Sequence, residues 1–200
     1  MEQAKQQQMG LRDRKKLKTR MSIQQHAMKL FKKQGYTETT VEQIAEAAEI
    51  SPSTFFRYFP TKESVVLTDF YDPVIMETFV SQPKDLPPIE ALRNGMRDAF
   101  AAMSSDEQTS EMERTKLIMS VPELRAAILS NFLDIFGLLN QALAKRTDRS
   151  SDDSEVRMFT GAFFGVALAA GVMWMEDPER DMLEMIDDAI EYLKKGVPLD

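Results

Sequence analysis

The stretch Thr39–Phe59 reads TTVEQIAEAAEISPSTFFRYF, and its reading decides the fold. Four aromatic side chains fall within Phe55–Phe59, around the single Arg57. A core segment accounts for the rings but not for the arginine. A solvated surface accounts for the arginine but not for the rings. Helical spacing accommodates both. Thr40 and Gln43 stand at capping-box spacing, and Val41, Ile44, Ala45 and Ala48 then make a short apolar stripe. Glu49–Ser51 reads as a tight turn. Ser51 is a good N-cap, and Pro52 sits at the first helical position, where its missing N–H costs nothing. A short helix is therefore predicted from Pro52 to Phe59, ended by Pro60. On it Phe55 and Phe59 lie one turn apart and face Val41, Ile44 and Ala48. Ser51, Ser53, Thr54, Arg57 and Tyr58 lie on or near the opposite face. Short helix, tight turn, short helix is helix-turn-helix organisation.

Outward from this stretch every periodicity is helical. Ile23, Ala27, Leu30 and Phe31 share one face of a helix over Thr19–Gln34, which Gly35 terminates. Thr61 caps a helix beginning at Lys62. Further helices are predicted over 62–80, 88–104, 107–119, 122–146, 154–176 and 179–196. No sustained β-alternation, hairpin signal or internal repeat occurs. The predicted fold is all-α, with about nine helices: a three-helix head over 15–62 and a larger body over 63–200.

Composition narrows the function. The chain of 200 residues has no cysteine and one histidine, His26, which is read as a surface residue of the first helix. Disulfides, thiolate catalysis, Cys-ligated zinc and a multi-His metal site are excluded. No Gly-rich phosphate loop, G-x-S-x-G or H-E-x-x-H is present. Neither an enzyme nor a cofactor is predicted. The net charge of −7 hides an asymmetry. Residues 1–35 hold ten Lys/Arg against two acids, whereas residues 73–200 hold thirteen basic and twenty-three acidic residues. A basic head on an acidic body points to a polyanion at one end. Met158–Met175 is eighteen residues without a charge, near the lower limit for a membrane span. It stands alone, and EDPERD follows at once, so it is read as a buried core helix. With no apolar leader at the N-terminus, a cytoplasmic protein without a membrane partner is expected.

The segment Ala27–Val66, AMKLFKKQGYTETTVEQIAEAAEISPSTFFRYFPTKESVV, resembles the head of TetR-family transcriptional regulators. The family pattern is A-x-x-L-F-x-x-x-G-(Y/F)-x-x-T-T-(V/I)-x-x-I-A-x-x-A-x-(V/I)-S-x-x-T-(F/L)-(Y/F)-x-(Y/H)-F-x-x-K-E, and nearly every fixed position is met. TFFRYF resembles the version found in an AcrR-like subgroup. The body resembles the family only in length and helicity. The resemblance implies a homodimer that sets its third helix into the major groove of a palindromic double-stranded operator. It also implies a body that binds a small molecule and thereby releases DNA, with repression as the default.

Each candidate residue has a plain alternative. Ser51, Ser53 and Thr54, with Pro52, form the N-terminus of the recognition helix; they cap it, and they are placed to meet phosphate or base edges. Arg57 is the one long donor on the exposed face, suited to guanine or phosphate. Tyr58 matches a family position that contacts phosphate. Phe56 cannot donate a hydrogen bond, so a thymine methyl or simple packing is its role. Thr40 and Lys62 each stand at a helix N-terminus that faces the DNA backbone in the family. The run Arg12–Arg20, RDRKKLKTR, is either a solvated charge run or an arm reaching the minor groove or backbone.

In the body, the fourteen methionines of the chain suggest an adaptable apolar pocket. Met96, Phe100, Met103, Leu117, Ile118, Phe132, Phe136 and Phe163 are the candidates to line it, for an apolar or amphipathic effector. Arg93, Arg97 and Arg114 are read as surface residues rather than partners of an anionic group. The stretch GAFFGVALAAG is apolar on all sides and should be covered on all sides. Ile128, Phe132, Leu139, Gly161, Gly165, Ala169 and Val172 are the candidates for a two-fold interface. The alternative function is a helix-turn-helix protein that acts through protein–protein interaction and has lost DNA binding.

Overall fold

The computed structural model describes residues 10–177 and 179–198, with side chains throughout except at 129–132. Among these residues it is all-helical. The helices are α1 (Leu11–Gln34), α2 (Val41–Ala47), α3 (Pro52–Tyr58), α4 (Lys62–Leu67), α5 (Asp72–Ser81), α6 (Pro88–Ala101), α7 (Ser105–Ser120), α8 (Pro122–Thr147), α9 (Ser154–Glu176) and α10 (Met182–Lys194). The chain divides into two compact units between Thr68 and Asp69.

The first unit is the head. Helices as short as α2 and α3, seven residues each, are marginal alone in water, so packing must hold them. Ile23, Ala27 and Phe31 of α1, Ile44 and Ala45 of α2, Phe55 and Phe59 of α3 and its cap, and Val65 and Val66 of α4 form that core, each almost wholly buried. Gln24 is the polar member. Its Nε2 donates to the carbonyls of Val65 at 2.7 Å and Thr68 at 2.8 Å, satisfying the orphan end of α4. Gly35 takes φ +88° where α1 stops, and its N–H closes on Phe31 O.

The expected single helix over 62–80 is two helices. Thr68 leaves the helix with extended backbone, and its hydroxyl bonds back to Ser64 O at 2.7 Å. Asp69 Oδ1 then accepts the N–H of Tyr71 at 2.7 Å, and Pro73 sits in the first turn of α5. The local hydrogen bonds of Thr and Asp outcompete helix continuation here. This break raises the helix count above the expectation. At the other end α1 starts at Leu11, two turns before the apolar periodicity that marks Thr19–Gln34.

The second unit is the body. Phe79 of α5, Leu92 of α6, Leu139 and Leu143 of α8, Val156 and Phe163 of α9 and Ile190 of α10 form one core. Arg146, buried on α8, donates to the carbonyls of Gln82 at 2.9 Å and Leu86 at 3.0 Å and so holds the α5–α6 loop. A Cβ on Gly95 would stand 2.7 Å from the backbone N of Phe79, so only glycine lets α5 and α6 approach this closely. Helix α9 is long and apolar enough to cross a membrane by length and composition. One face, carrying Val156, Thr160, Phe163, Ala170 and Trp174, is buried in the body. The expectation that it is covered on all sides does not hold within one chain, because Met158, Leu168, Val172 and Met175 on its other face are exposed.

Candidate nucleic-acid interface

The helix-turn-helix is built by local capping. Thr40 Oγ1 accepts the Gln43 N–H at 3.3 Å, and Gln43 Oε1 accepts the Thr40 N–H at 3.0 Å, a reciprocal capping box that starts α2. The turn to α3 passes through Glu49 at φ +54°, closed by Ile50 N–H on Ala45 O at 2.9 Å. Ser51 then caps α3 by accepting the Thr54 N–H at 3.1 Å. Its hydroxyl also meets those of Ser53 at 2.9 Å and Thr54 at 3.0 Å. Three hydroxyls are thus gathered at one end of α3, with Pro52 among them.

Along α3 the rings divide as the spacing predicts. Phe55 and Phe59 have no exposure, whereas Phe56 is 51% exposed. The Phe56 ring is held edge-on to Phe55, centroids 5.5 Å apart. Arg57 is exposed and its guanidinium lies 5.4 Å from the half-buried Tyr58 ring. The outward face therefore presents Ser53, Phe56 and Arg57, and α3 contains no acid. A helix of this width fits a major groove about 12 Å wide.

Lys62 departs from the plain phosphate-contact reading. Its Nζ donates to Tyr36 O at 2.9 Å and to Thr39 O at 3.0 Å, and lies 4.2 Å from the Tyr36 ring centroid. Two of its three donors hold the α1–α2 loop. Local patterns cannot reveal this, because the partners lie 23 and 26 residues away. Arg20 is likewise a structural group that no local pattern marks: its guanidinium packs 5.2 Å from the Phe59 ring.

In the body the expected ligand residues lie in several places. Met96 and Phe163 belong to the core or pack against it. Phe136 stacks on Phe164 at 6.2 Å. Phe100 and Met103 lie at the α6–α7 corner, where Gln108 Nε2 bonds their carbonyls at 3.1 and 3.3 Å. Leu117 and Ile118 are half-buried on α7. The Phe132 side chain lies outside the described residues. Two open cavities exist elsewhere. One, of about 520 Å³, lies between α5 and α8 and is lined by Met76, Val80, Leu138, Ala142 and Lys145 among others. The other, of about 400 Å³, lies between α9 and α10 beside Val166, Met173, Met185 and Tyr192. None of the expected residues lines either, since aromatic spacing marks core more readily than it marks a cavity.

Leu139, expected at a subunit interface, is fully buried in its own core and is unavailable to a second chain. Ile128 is half-buried. Gly161, Gly165, Ala169 and Val172 are exposed together on α9. Arg93 and Arg97 are in ion pairs, with Glu191 and Asp187 respectively. Arg114 is not the surface residue expected. It is buried, with its guanidinium against Asp69 and at 2.7 Å from Glu111. Burial, together with Asp69, pushes the neighbouring Asp72 carboxyl up to about 7. Glu111 is also raised by burial, against the opposing pull of Arg114.

Comparison with known proteins agrees with this architecture. Residues 23–68 match the family model of bacterial regulatory proteins of the tetR family, and residues 86–198 match that of the MftR C-terminal domain. The HTH-type transcriptional regulator TcmR of Streptomyces glaucescens is 32% identical over 190 residues, covering 91% of this chain and 84% of that protein. The TetR-family repressor FadR of Thermus thermophilus, solved with lauroyl-CoA, superimposes with a TM-score of 0.57 at 24% identity, over 90% of this chain and 96% of that one. FadR of Bacillus subtilis, solved with stearoyl-CoA, gives 0.53 at 21% identity, over 86% and 96%. These likenesses, with the helix-turn-helix of α2 and α3, place the chain in the tetR family of DNA-binding transcriptional regulators.

Proposed function

We propose that the protein is a ligand-responsive repressor that binds a palindromic operator as a dimer and is released by a small apolar or amphipathic effector. The observation that carries the DNA reading is the outward face of α3, where Ser53, Phe56 and Arg57 are exposed on a helix that contains no acid. On this reading Arg57 reads a base edge or phosphate, Phe56 contacts a thymine methyl, and Ser51, Pro52, Ser53, Thr54 and Tyr58 seat the helix against the backbone. Thr40 meets phosphate from the start of α2. Lys62 contributes its remaining donor while holding the loop beneath.

The dimer reading rests on α9. From Met158 to Met175 it has no charged residue, and Met158, Leu168, Val172 and Met175 are exposed. A Cβ at Gly161 or Gly165 would meet nothing within 4 Å, leaving room for a second helix to approach closely. A dimer supplies the two heads that a palindrome with half-sites about 34–36 Å apart requires.

The effector reading rests on the apolar cavity between α5 and α8, with Lys145 on its lining, and on two related folds solved with acyl-CoA ligands. The protein acts in the cytoplasm.

Selection of bound genomic fragments with purified protein at about 0.15 M salt tests the whole reading. Enrichment of one or a few palindromes, lost in Arg57→Ala, is the expected result. Binding that is blind to sequence would overturn it.

A further inference from the structure

We infer that the N-terminal turns of α1, Arg12 to Lys18, are a second DNA-binding surface that grips the phosphates flanking the half-site read by α3. This rests on the DNA-binding reading above and extends it beyond the helix-turn-helix.

The first buried side chain of α1 is Ile23, yet the helix begins at Leu11. None of the side chains from Leu11 to Arg20 is buried. Arg12, Lys15, Lys16 and Lys18 are exposed, and among the described residues no acid pairs with them. Arg14 Nε has no hydrogen-bond partner. Asp13 is the one acid in the stretch.

This arrangement opposes the stability of the free helix. Arg12 and Lys16, and Arg14 and Lys18, are like charges four residues apart, a repulsive spacing. Arg12 and Arg14 also lie in the first turn, at the positive end of the helix dipole, where anions are favoured. A polyanion relieves both effects at once. A lipid surface fits poorly, because Leu11 and Leu17 are the only large apolar residues here and an interfacial helix needs a continuous apolar face.

Position selects duplex DNA next to the reading helix. Arg20 packs on Phe59, at the C-terminal end of α3. The other end of α1 meets the start of α2, where Gln34 Nε2 donates to Gln43 Oε1 at 2.9 Å. Helix α1 therefore runs the length of the helix-turn-helix. The eight residues from Arg20 back to Arg12 add about 12 Å at 1.5 Å per residue, which matches the width of the major groove. Cations on those turns reach past the groove wall to the next phosphate ridge.

The test is the full-length variant Arg12→Gln, Lys15→Gln, Lys16→Gln, Lys18→Gln. Glutamine matches lysine and arginine in helix propensity, and circular dichroism verifies that helicity is kept. Binding is followed by fluorescence anisotropy from 50 to 300 mM KCl, on a selected operator duplex and on a random duplex of equal length. Each phosphate that the variant no longer neutralises lowers the slope of log K against log salt by about 0.9, so the expected reduction is about 2–4 per protomer on both duplexes. The protected footprint shortens at its outer edges while discrimination between half-site variants stays intact. An unchanged slope on both duplexes overturns the inference, as does loss of discrimination, which would place the effect inside the head. If the wild type fails to prefer the operator, the regulator reading fails, and the slope on random duplex still decides this one.

Discussion

Replacing Lys62 with methionine tests whether its ammonium clamps the head or grips DNA. Methionine keeps most of the apolar stem and removes the charge. The side chain loses bonds of 2.9 and 3.0 Å to Tyr36 O and Thr39 O, and a ring contact at 4.2 Å. A hydrogen bond involving a charged group contributes about 1.5–3 kcal/mol, and an exposed cation–π contact about 0.5–1 kcal/mol. Tyr36 and Thr39 are buried residues, so their carbonyls are only partly rescued by water. Allowing for that rescue and for overlap among the three contacts, Lys62→Met should cost about 2–3 kcal/mol. In a chain of this size that lowers Tm by roughly 4–12 °C. Thermal unfolding by circular dichroism reads the stability, and the salt slope on operator DNA reads the phosphate contact. A clamp that also spends its third donor on DNA loses both stability and about 0.9 of slope. A Tm lowered by less than about 2 °C, with the slope reduced, would refute the clamp. It would mean that the ammonium leaves both carbonyls for phosphate.

Three further outcomes follow from the geometry. Glu49→Gly relieves a left-handed residue in the α2–α3 turn. A non-glycine residue there costs about 1–2 kcal/mol, offset by about 0.5–1 kcal/mol of extra chain entropy in glycine, so a small net rise in stability by urea unfolding is expected. Asp72 is an acid whose folded pKa is raised, so it favours the fold while protonated. Its contribution is full below the unfolded value of 3.8 and is lost as pH rises through about 7. Asp72→Asn should therefore flatten the fall in body stability between pH 5 and 8 and stabilise the protein at pH 8 by on the order of 1–2 kcal/mol; a steeper fall in the variant would reverse the assignment. Gly165→Glu faces open space in one chain, so helicity should hold, while light scattering should show a monomer in place of a dimer.

The head was legible because its signals are short-range. Thr40 with Gln43, Ser51 with Pro52, and Gly35 each write a helix boundary within a few residues. The four-residue spacing of Phe55 and Phe59 alone assigned them to the core and left Phe56 and Arg57 outside. The break at Thr68 is also written locally, in the Thr-Asp pair and Pro73, but the apolar periodicity over 62–80 masks it.

In the body, composition and periodicity determined that the elements are helices and that α9 is apolar, because these depend on neighbours along the chain. They did not determine which apolar residue faces the core, a cavity or another chain. Leu139 and Gly165 sit at equally helical spacings, yet one is sealed in the core and the other looks into open space. Arg114 reads as a surface cation and Lys62 as a phosphate contact until the fold brings Asp69 and the carbonyls of Tyr36 and Thr39 to them. The sequence by itself determined that the elements are helical, and also the helix-turn-helix and its outward residues. Only the tertiary structure decided the partners of the buried charges and the faces left open, because those contacts join residues tens of positions apart, and no local pattern encodes that closure.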